Sequence, residues 1–215
     1  MKKKILSIAL VVAMLAIAVA GGTLAYLNDS DGVKNVMTAG KVEIEQNEVF
    51  TQDTKILPAV ENAGGTIDNV VTKTIDVTNN GTESAYIRTI LLSEKDGDAL
   101  VNKVYADGVT FEKLAETVEY DGGEYVVYYY TYPAALAAGA TTGDSLVEIY
   151  LDETADNQWY TDVEGKYELY AFSQAVQSAG FDGPAEGADY ALNEAFGEIT
   201  KTNVESWIAT AGLFA

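Results

Sequence analysis

The chain of 215 residues contains no cysteine and no histidine, only three prolines, and 13 basic residues against 33 acidic ones. Without cysteine there are no disulfides and no thiolate nucleophiles, so a secreted form of the chain must be held together by its core alone. Without histidine the chain lacks the commonest general base and the commonest ligand of transition metals. A Ser-His-Asp triad and an H-E-x-x-H zinc site are therefore excluded.

The formal net charge of −20 sets a second limit on function. A surface this acidic repels nucleic-acid phosphates and anionic lipid headgroups, so we expect neither nucleic acid nor a membrane as a partner of the processed protein. We also expect no cofactor. Three acidic turns carry oxygen ligands of the kind that Ca²⁺ binds, but without a complete loop motif we interpret them as solvated turns. They are residues 28–32, 121–124 and 152–156.

The N-terminus has the layout of an export signal. Three lysines precede the uncharged run Ile5–Ala20, which as a helix spans roughly 24 Å and is shorter than a bilayer core of about 30 Å. Small residues follow, as a signal peptidase requires. The sequence predicts a signal peptide at 1–25, cleaved between Ala25 and Tyr26 to give an exported protein. Cleavage after Ala20 and an uncleaved anchor are the alternatives.

Residues 26–215 show no internal repeat and no linker, which predicts a single domain. Alternating or β-branched segments bounded by turn residues predict strands, with Asn80-Gly81 as a turn between two of them. The predicted strands lie in 40–50, 71–78, 85–92, 124–132, 145–153, 166–177 and 202–212. Helical spacing predicts short helices in 187–199 and 107–118, and 56–69 is predicted to be a loop.

Many short strands and few helices predict an all-β fold, an antiparallel β-sandwich with one or two short helices. The segment 166–177 is apolar on both faces, and we therefore expect it to be a central strand. No catalytic constellation is present. A carboxylate pair acting as a hydrolase remains an alternative, because 33 acidic residues supply many chance pairs.

A family resemblance rests on three stretches of the sequence. "TLAYLNDSDGVKNVMTAGKVEI" resembles the junction of TasA/camelysin-type proteins, which are exported with a SipW-type signal peptidase. In that pattern a T-x-A is followed by an Asn-Asp, a polar stretch, a T-A-G turn and an alternating strand. "VTKTIDVTNNGTESAYIR" and "YAFSQAVQSAGFDGPAEGAD" are similar to later blocks of the family.

The resemblance implies a jelly-roll-like sandwich that a Gram-positive bacterium secretes as a subunit of biofilm-matrix fibres. In fibre-forming relatives the N-terminal segment of one subunit completes a sheet of the next, so the implied partners are identical subunits and an accessory matrix protein. Segment 26–37 is the expected donor strand. Its candidate residues are Tyr26, Leu27, Val33, Val36 and Met37.

The resemblance also implies a peptidase label, which a chain without histidine supports poorly. We therefore expect a protein that is not an enzyme. A monomeric secreted adhesin or accessory matrix-binding protein is the alternative function, and a camelysin-like peptidase is a further one.

Overall fold

The computed structural model describes residues 41–50, 55–163, 166–181 and 186–211. The described elements belong to one compact unit, Gly40–Ala215. Every pair of hydrogen-bonded strands is antiparallel, and helices are few and short, which confirms the predicted all-β sandwich. The strands are β1 (Ile44–Val49), β2 (Val60–Glu61), β3 (Ile67–Asp68), β4 (Val71–Asn79), β5 (Ala85–Glu94), β6 (Val101–Tyr105), β7 (Glu112–Lys113), β8 (Val118–Tyr120), β9 (Gly123–Thr131), β10 (Leu146–Leu151) and β11 (Leu169–Gln177).

The strands form two main sheets. The first has the order β1-β4-β10-β6, and the second has the order β11-β5-β9-β7, with β8 also pairing with β9. The sheets share a core to which β4 and β10 of the first sheet and β5 and β11 of the second contribute buried residues. Members of this core are Val71, Ile75, Leu91, Leu146, Ile149, Leu151 and Ala171. β2 and β3 form a separate hairpin inside the segment predicted to be a loop.

Two helices, α3 (Ala188–Phe196) and α4 (Lys201–Ala211), cover the outer face of the second sheet. The shorter α1 (Lys95–Asp98) and α2 (Asn157–Asp162) pack against each other, and Trp159 of α2 is buried in the core between the sheets. Val204 and Ile208 of α4 are buried in a second core against β5, β8, β9 and β11. β5 is therefore covered on both faces, with Leu91 in the first core and Ile90 and Leu92 in the second. Each such side chain stabilises the fold by about 1.5–3 kcal/mol.

The predicted helix in 187–199 is confirmed as α3, and it ends before Gly197, whose φ of 89° suits glycine. Two other local predictions are wrong. The segment 202–212, predicted to be a strand, contains α4, because its apolar residues pack at helical spacing on the sheet. The segment 107–118, predicted to be a helix, contains β7, because Glu112 and Lys113 pair with β9.

The two strands flanking Asn80-Gly81 are confirmed, but they do not pair with each other. β4 belongs to the first sheet and β5 to the second, so the chain crosses between sheets at this point. Gly81 is needed there for space, since a Cβ on it would lie 2.3 Å from the Lys41 carbonyl oxygen. The Lys41 carbonyl also accepts a hydrogen bond of 2.8 Å from the amide of Thr82, which holds the start of β1 against the crossing.

The predicted central position of 166–177 is also wrong. β11 is at the edge of the second sheet, and β5 takes the central place. Both faces of β11 are nevertheless apolar, because Ala171 faces the core between the sheets and Phe172 faces the core under the helices. Among the described helices, none is long and apolar enough to cross a membrane.

Candidate functional site

All the site residues predicted from the sequence lie outside the described residues. Cleavage between Ala25 and Tyr26, and a donor strand built on Leu27, Val33, Val36 and Met37, therefore remain predictions. The described part of the chain contains a sheet edge with a groove beside it, and this is the candidate site. The site lies where β1 of the first sheet and β11 of the second come together at one side of the sandwich.

The outer edge of β11 presents a row of backbone groups. Glu94 N donates to Glu168 O at 3.0 Å, and Ser178 N donates to Ser84 O at 2.8 Å, so the even-numbered residues of β11 are those that bond to β5. In an antiparallel pair the alternate residues direct their N–H and C=O groups to the other side. Within the described part of the chain no strand pairs with that side of β11. The outward residues are Ala171, Ser173, Ala175 and Gln177.

An apolar groove runs along this edge. Its volume is about 350 Å³. The floor comes from β11, one wall from the start of β1, and the other wall from α3 and α4. Among the lining residues that the structure describes there is no Asp, Glu, Lys or Arg, although 21% of the whole chain is charged. The lining residues are Val42, Ile44, Phe172, Ser173, Gln174, Ala175, Phe196, Trp207 and Thr210.

Gln46 bridges the two edges beside the groove. Its Nε2 donates to Ala171 O at 3.1 Å, and its Oε1 accepts from Ser173 Oγ at 2.6 Å. Beyond Gln46 lies a second cavity of about 330 Å³, which is lined by charged groups. Lys73 forms an ion pair with Glu48 there, and its ammonium group lies 5.1 Å from the centroid of the Phe50 ring. The bridge therefore separates an uncharged groove from a charged one.

Arg88 fixes the helical wall of the groove. Its side chain is almost fully buried at 2% exposure, and it donates to Gln174 Oε1 at 2.7 Å, Asn193 Oδ1 at 3.0 Å and Gly197 O at 3.2 Å. These bonds tie β11, α3 and the turn after α3 to β5. Burial lowers the pKa of Arg88 to about 10, so the guanidinium stays charged at neutral pH.

A cluster of ionisable groups lies elsewhere in the described part of the chain, around the buried Asp98. Lys103 Nζ lies 2.7 Å from one carboxylate oxygen, and Lys113 Nζ and the Tyr128 hydroxyl lie 3.2 Å and 2.8 Å from the other. Burial acts to raise the pKa of Asp98, but the hydrogen bonds from Lys103 and Ser93 outweigh it and hold that pKa below its usual value. The carboxylate is fully occupied by neighbours, as expected of a structural ion pair.

The acidic turns that the structure describes are partnered locally. Asp152 accepts from Thr154, Asp156 caps α2 by accepting from Gln158 N, and Glu124 pairs with Lys95. The turn at 28–32 lies outside the described residues. In the described ranges there is no group of three or more acidic side chains placed to hold a metal ion.

Sequence reasoning missed the groove because its walls come from three distant segments. The sequence of α4 gives a partial indication. Val204, Trp207 and Ile208 follow i, i+3, i+4 spacing, which is typical of a helix with one face packed on the rest of the protein. No local pattern marks β11 as an edge strand, since a strand that is buried on both faces has the same apolar composition at the edge of a sheet as at its centre.

The fold and the groove define an all-β sandwich protein with an exposed sheet edge. The family model described as Camelysin metallo-endopeptidase matches residues 1–111. That match covers more than half of the chain, which belongs to the TasA/camelysin family. The chain matches none of the curated proteins compared with it.

The family description names a metal-dependent peptidase, and the residues of this chain do not fit a typical zinc centre. Catalytic zinc is held by histidine, or by histidine together with cysteine or a carboxylate, and this chain has neither histidine nor cysteine. The buried carboxylate of Asp98 is already engaged by Lys103 and Tyr128. We therefore derive no catalytic step through a metal.

Proposed function

We propose that the protein is a secreted structural subunit of extracellular matrix fibres and that its N-terminal segment, Tyr26–Met37, is inserted as a strand into a neighbouring subunit. The observation that carries the proposal is the outer edge of β11 with the uncharged groove beside it. Exposed sheet edges are normally blunted by charge or proline, because they pair readily with other chains. The β11 edge has an apolar groove beside it, and none of the described residues that line this groove is charged or a proline.

Strand addition is also physically suited to this chain. Main-chain hydrogen bonds to an edge supply affinity, and alternate side chains entering a groove supply specificity. Burial of an apolar side chain such as Leu27, Val33 or Met37 stabilises a complex by about 1.5–3 kcal/mol. Each backbone hydrogen bond adds about 0.5–1.5 kcal/mol. A groove that is already formed spares the acceptor any cost of opening.

Electron microscopy of the purified form beginning at Tyr26 tests the proposal. We expect fibres from this form and none after deletion of Tyr26–Met37. A length-matched variant with Leu27, Val33 and Met37 replaced by serine should also fail, whereas replacement of Asp29 and Asp31 by asparagine should leave fibre formation intact. A strict monomer whose mass and stability are unaffected by the deletion would contradict the proposal.

A monomeric binding protein is the second candidate function, and the Gln46 bridge favours it. The bridge already satisfies the Ala171 carbonyl and links the two sheets without an added strand. This candidate predicts a stable folded monomer at every concentration. Sedimentation over a hundredfold concentration range distinguishes it from a polymerising subunit.

The proposed role is structural and not catalytic. Support comes from the absence of histidine and cysteine and from the fully engaged Asp98. A casein-cleavage assay with and without added Zn²⁺ tests this part of the proposal. Turnover that disappears on mutation of one defined pair of carboxylates would overturn it.

A further inference from the structure

The groove beside β11 leaves apolar surface in contact with water in the described part of the chain. Five of its apolar lining residues are only half-buried, namely Val42, Ile44, Ala175, Phe196 and Trp207. An occupant that removes such a surface from water gains free energy by the hydrophobic effect. Because none of the described lining residues is charged, the occupant that fits is apolar and carries no charge.

The chain supplies an occupant of this kind immediately beside the groove. Thr210 of α4 lines the groove, and the described part of α4 ends at Ala211. The sequence continues with Gly-Leu-Phe-Ala at 212–215, which lies outside the described residues. The whole stretch 206–215 contains no charged residue, in a chain of which 21% is charged. The segment 212–215 therefore has the chemistry that the groove requires.

The connection from α4 is short enough to bring this segment to the groove. Leu213 and Phe214 follow three and four residues after Thr210, and an extended chain advances at most about 3.6 Å per residue. Both residues therefore stay within about 14 Å of a residue that already lines the groove. Gly212 precedes them, and a glycine after a helix commonly ends the helix and lets the chain turn back.

The subunit's own segment has an advantage over the same segment of a second copy. A short linker holds a tethered segment at an effective concentration in the millimolar range. The segment of a second copy is present only at the concentration of the protein. Two copies that each carry a net charge of −20 also repel one another, whereas an uncharged segment that folds back on its own subunit meets no such barrier.

We infer that Leu213 and Phe214 bind in the groove beside β11 of their own subunit and cover Trp207. The segment 212–215 then occupies the groove that the proposed function assigns to a strand from a neighbour, so the two occupants compete and the free subunit is held unassembled. Occupancy of the groove stands on its own, whereas the competition rests on the proposed function. Exchange of the two occupants leaves the walls of the groove in place.

Cysteine cross-linking tests the occupancy, because the chain has no cysteine of its own. Ala175→Cys places one thiol in the groove, and Leu213→Cys or Phe214→Cys places the second thiol in the segment. A short bismaleimide joins two nearby thiols without requiring the narrow geometry of a disulfide. The matched control replaces Ala175→Cys by Thr72→Cys, an exposed position on β4 in the other sheet.

We expect an internally cross-linked monomer with Ala175→Cys and at least one of the two segment cysteines, and none with Thr72→Cys. The product is recognised by the mass of one chain plus one cross-linker. A cross-linked dimer would show that the segment of a second copy fills the groove, which overturns the inference. Equal cross-linking of the control pair, or none through Ala175→Cys, would also overturn it.

The fluorescence of Trp207 gives a readout that needs no cysteine. In a Trp159→Phe background Trp207 is the sole tryptophan, and it lines the groove. We expect Leu213→Ser combined with Phe214→Ser to shift its emission to longer wavelength and to increase its quenching by acrylamide. The reason is that water and acrylamide then reach an indole ring that the segment had covered.

The matched control is Leu57→Ser combined with Tyr160→Ser. It removes one aliphatic and one aromatic side chain that are exposed and are not among the described lining residues of the groove. Emission and quenching should stay unchanged, and far-UV circular dichroism checks that both double variants keep their helices. If Trp207 emission and quenching are also unchanged in the Leu213→Ser and Phe214→Ser variant, the inference is overturned.

Assembly of the Leu213→Ser and Phe214→Ser variant separates the inference from the proposed function. We expect its critical concentration to be at least about tenfold lower, because an arriving strand no longer displaces apolar side chains whose burial is worth such a factor. An unchanged critical concentration beside a positive cross-link would overturn the competition and leave the occupancy and the proposed function standing. Absence of fibres from every variant would remove the proposed function and the competition, whereas the cross-link would still establish the occupancy.

Discussion

The guanidinium carbon of Arg88 lies 4.9 Å from the centroid of the Trp207 indole ring. This contact joins the central strand of the second sheet to α4. We expect Arg88→Met to lower the free energy of unfolding by about 3 kcal/mol, because it leaves the buried Gln174 amide oxygen without its donor. Urea unfolding followed by tryptophan fluorescence in a Trp159→Phe background measures this, since Trp207 is then the sole reporter.

Arg88→Lys is the matched control for that measurement. Lysine keeps the charge but cannot present a planar fork to Gln174, Asn193 and Gly197 at once. We expect a loss between zero and that of Arg88→Met. Unfolding of both variants at the unmodified midpoint would show that the guanidinium does not hold the helical layer.

The ion pair at Asp98 gives a second prediction. Asp98→Asn leaves Lys103, with 5% of its side chain exposed, as a buried charge without a counterion. Such a change costs about 3–5 kcal/mol in unfolding free energy. The control is Glu124→Gln, which breaks the exposed pair with Lys95 and should cost less than about 1 kcal/mol. Similar losses in the two variants would contradict the assignment of a buried pair.

Stability should fall at alkaline pH. Burial and a hydrogen bond to Glu112 raise the pKa of Tyr129 to about 12, and burial and Glu168 raise that of Tyr170 to about 12. A pKa raised above the unfolded value of about 10 stabilises the fold fully below that pH, and the contribution is lost as pH rises through 12. Unfolding free energies measured between pH 9 and 12 should therefore decline.

Two variants assign that decline to Tyr129. Tyr129→Phe removes the titrating group, and Glu112→Gln removes the negative partner that disfavours tyrosinate. Both should make the decline with pH shallower. If the unfolding free energy of both variants declines with pH as steeply as that of the unmodified protein, the decline arises from groups other than Tyr129.

Gly81→Ala should destabilise the attachment of β1. The added Cβ would lie 2.3 Å from the Lys41 carbonyl oxygen and 2.9 Å from the Glu43 amide, both backbone atoms that cannot rotate away. We expect a loss of about 1–3 kcal/mol, typical of overpacking. Gly143→Ala is the control, because its Cβ meets nothing within 4 Å and should cost little. Thermal unfolding of the two variants checks the difference.

The strands were predictable because their side chains alternate, and their pairing was not. In β4 the residues Val71, Ile75 and Val77 are buried in alternation with more exposed ones, as the pattern indicates. Asn80-Gly81 then indicates a hairpin, but Asn79 Nδ2 donates to Glu83 O and to Leu136 O, and the chain crosses to the other sheet. Leu136 lies 57 residues after Asn79 in the sequence, and a local sequence pattern contains no information about such a distant contact.

The helix predictions show even more clearly that a local pattern does not determine which secondary structure a segment adopts. Phe111, Leu114 and Ala115 have the same i, i+3, i+4 spacing as Val204, Trp207 and Ile208, yet the first set belongs to a segment that includes β7 and the second to α4. The difference arises outside both segments, since β9 offers Tyr129 and Tyr128 as partners to Glu112 and Lys113. The groove is formed by the start of β1, by β11 and by the helices α3 and α4. Because these segments are far apart in the sequence, the groove could be found only in the folded structure.

The lack of charge in the groove makes ionic strength a control on assembly under the proposed function. Each copy carries a formal charge of −20, and at low salt this long-range repulsion keeps copies apart before the groove can act. At 0.1 M salt the screening length falls to about 10 Å, so repulsion between the bodies fades while the apolar contact in the groove does not. Under the proposed function, the processed subunit would therefore assemble where it passes from a dilute medium into a saline one.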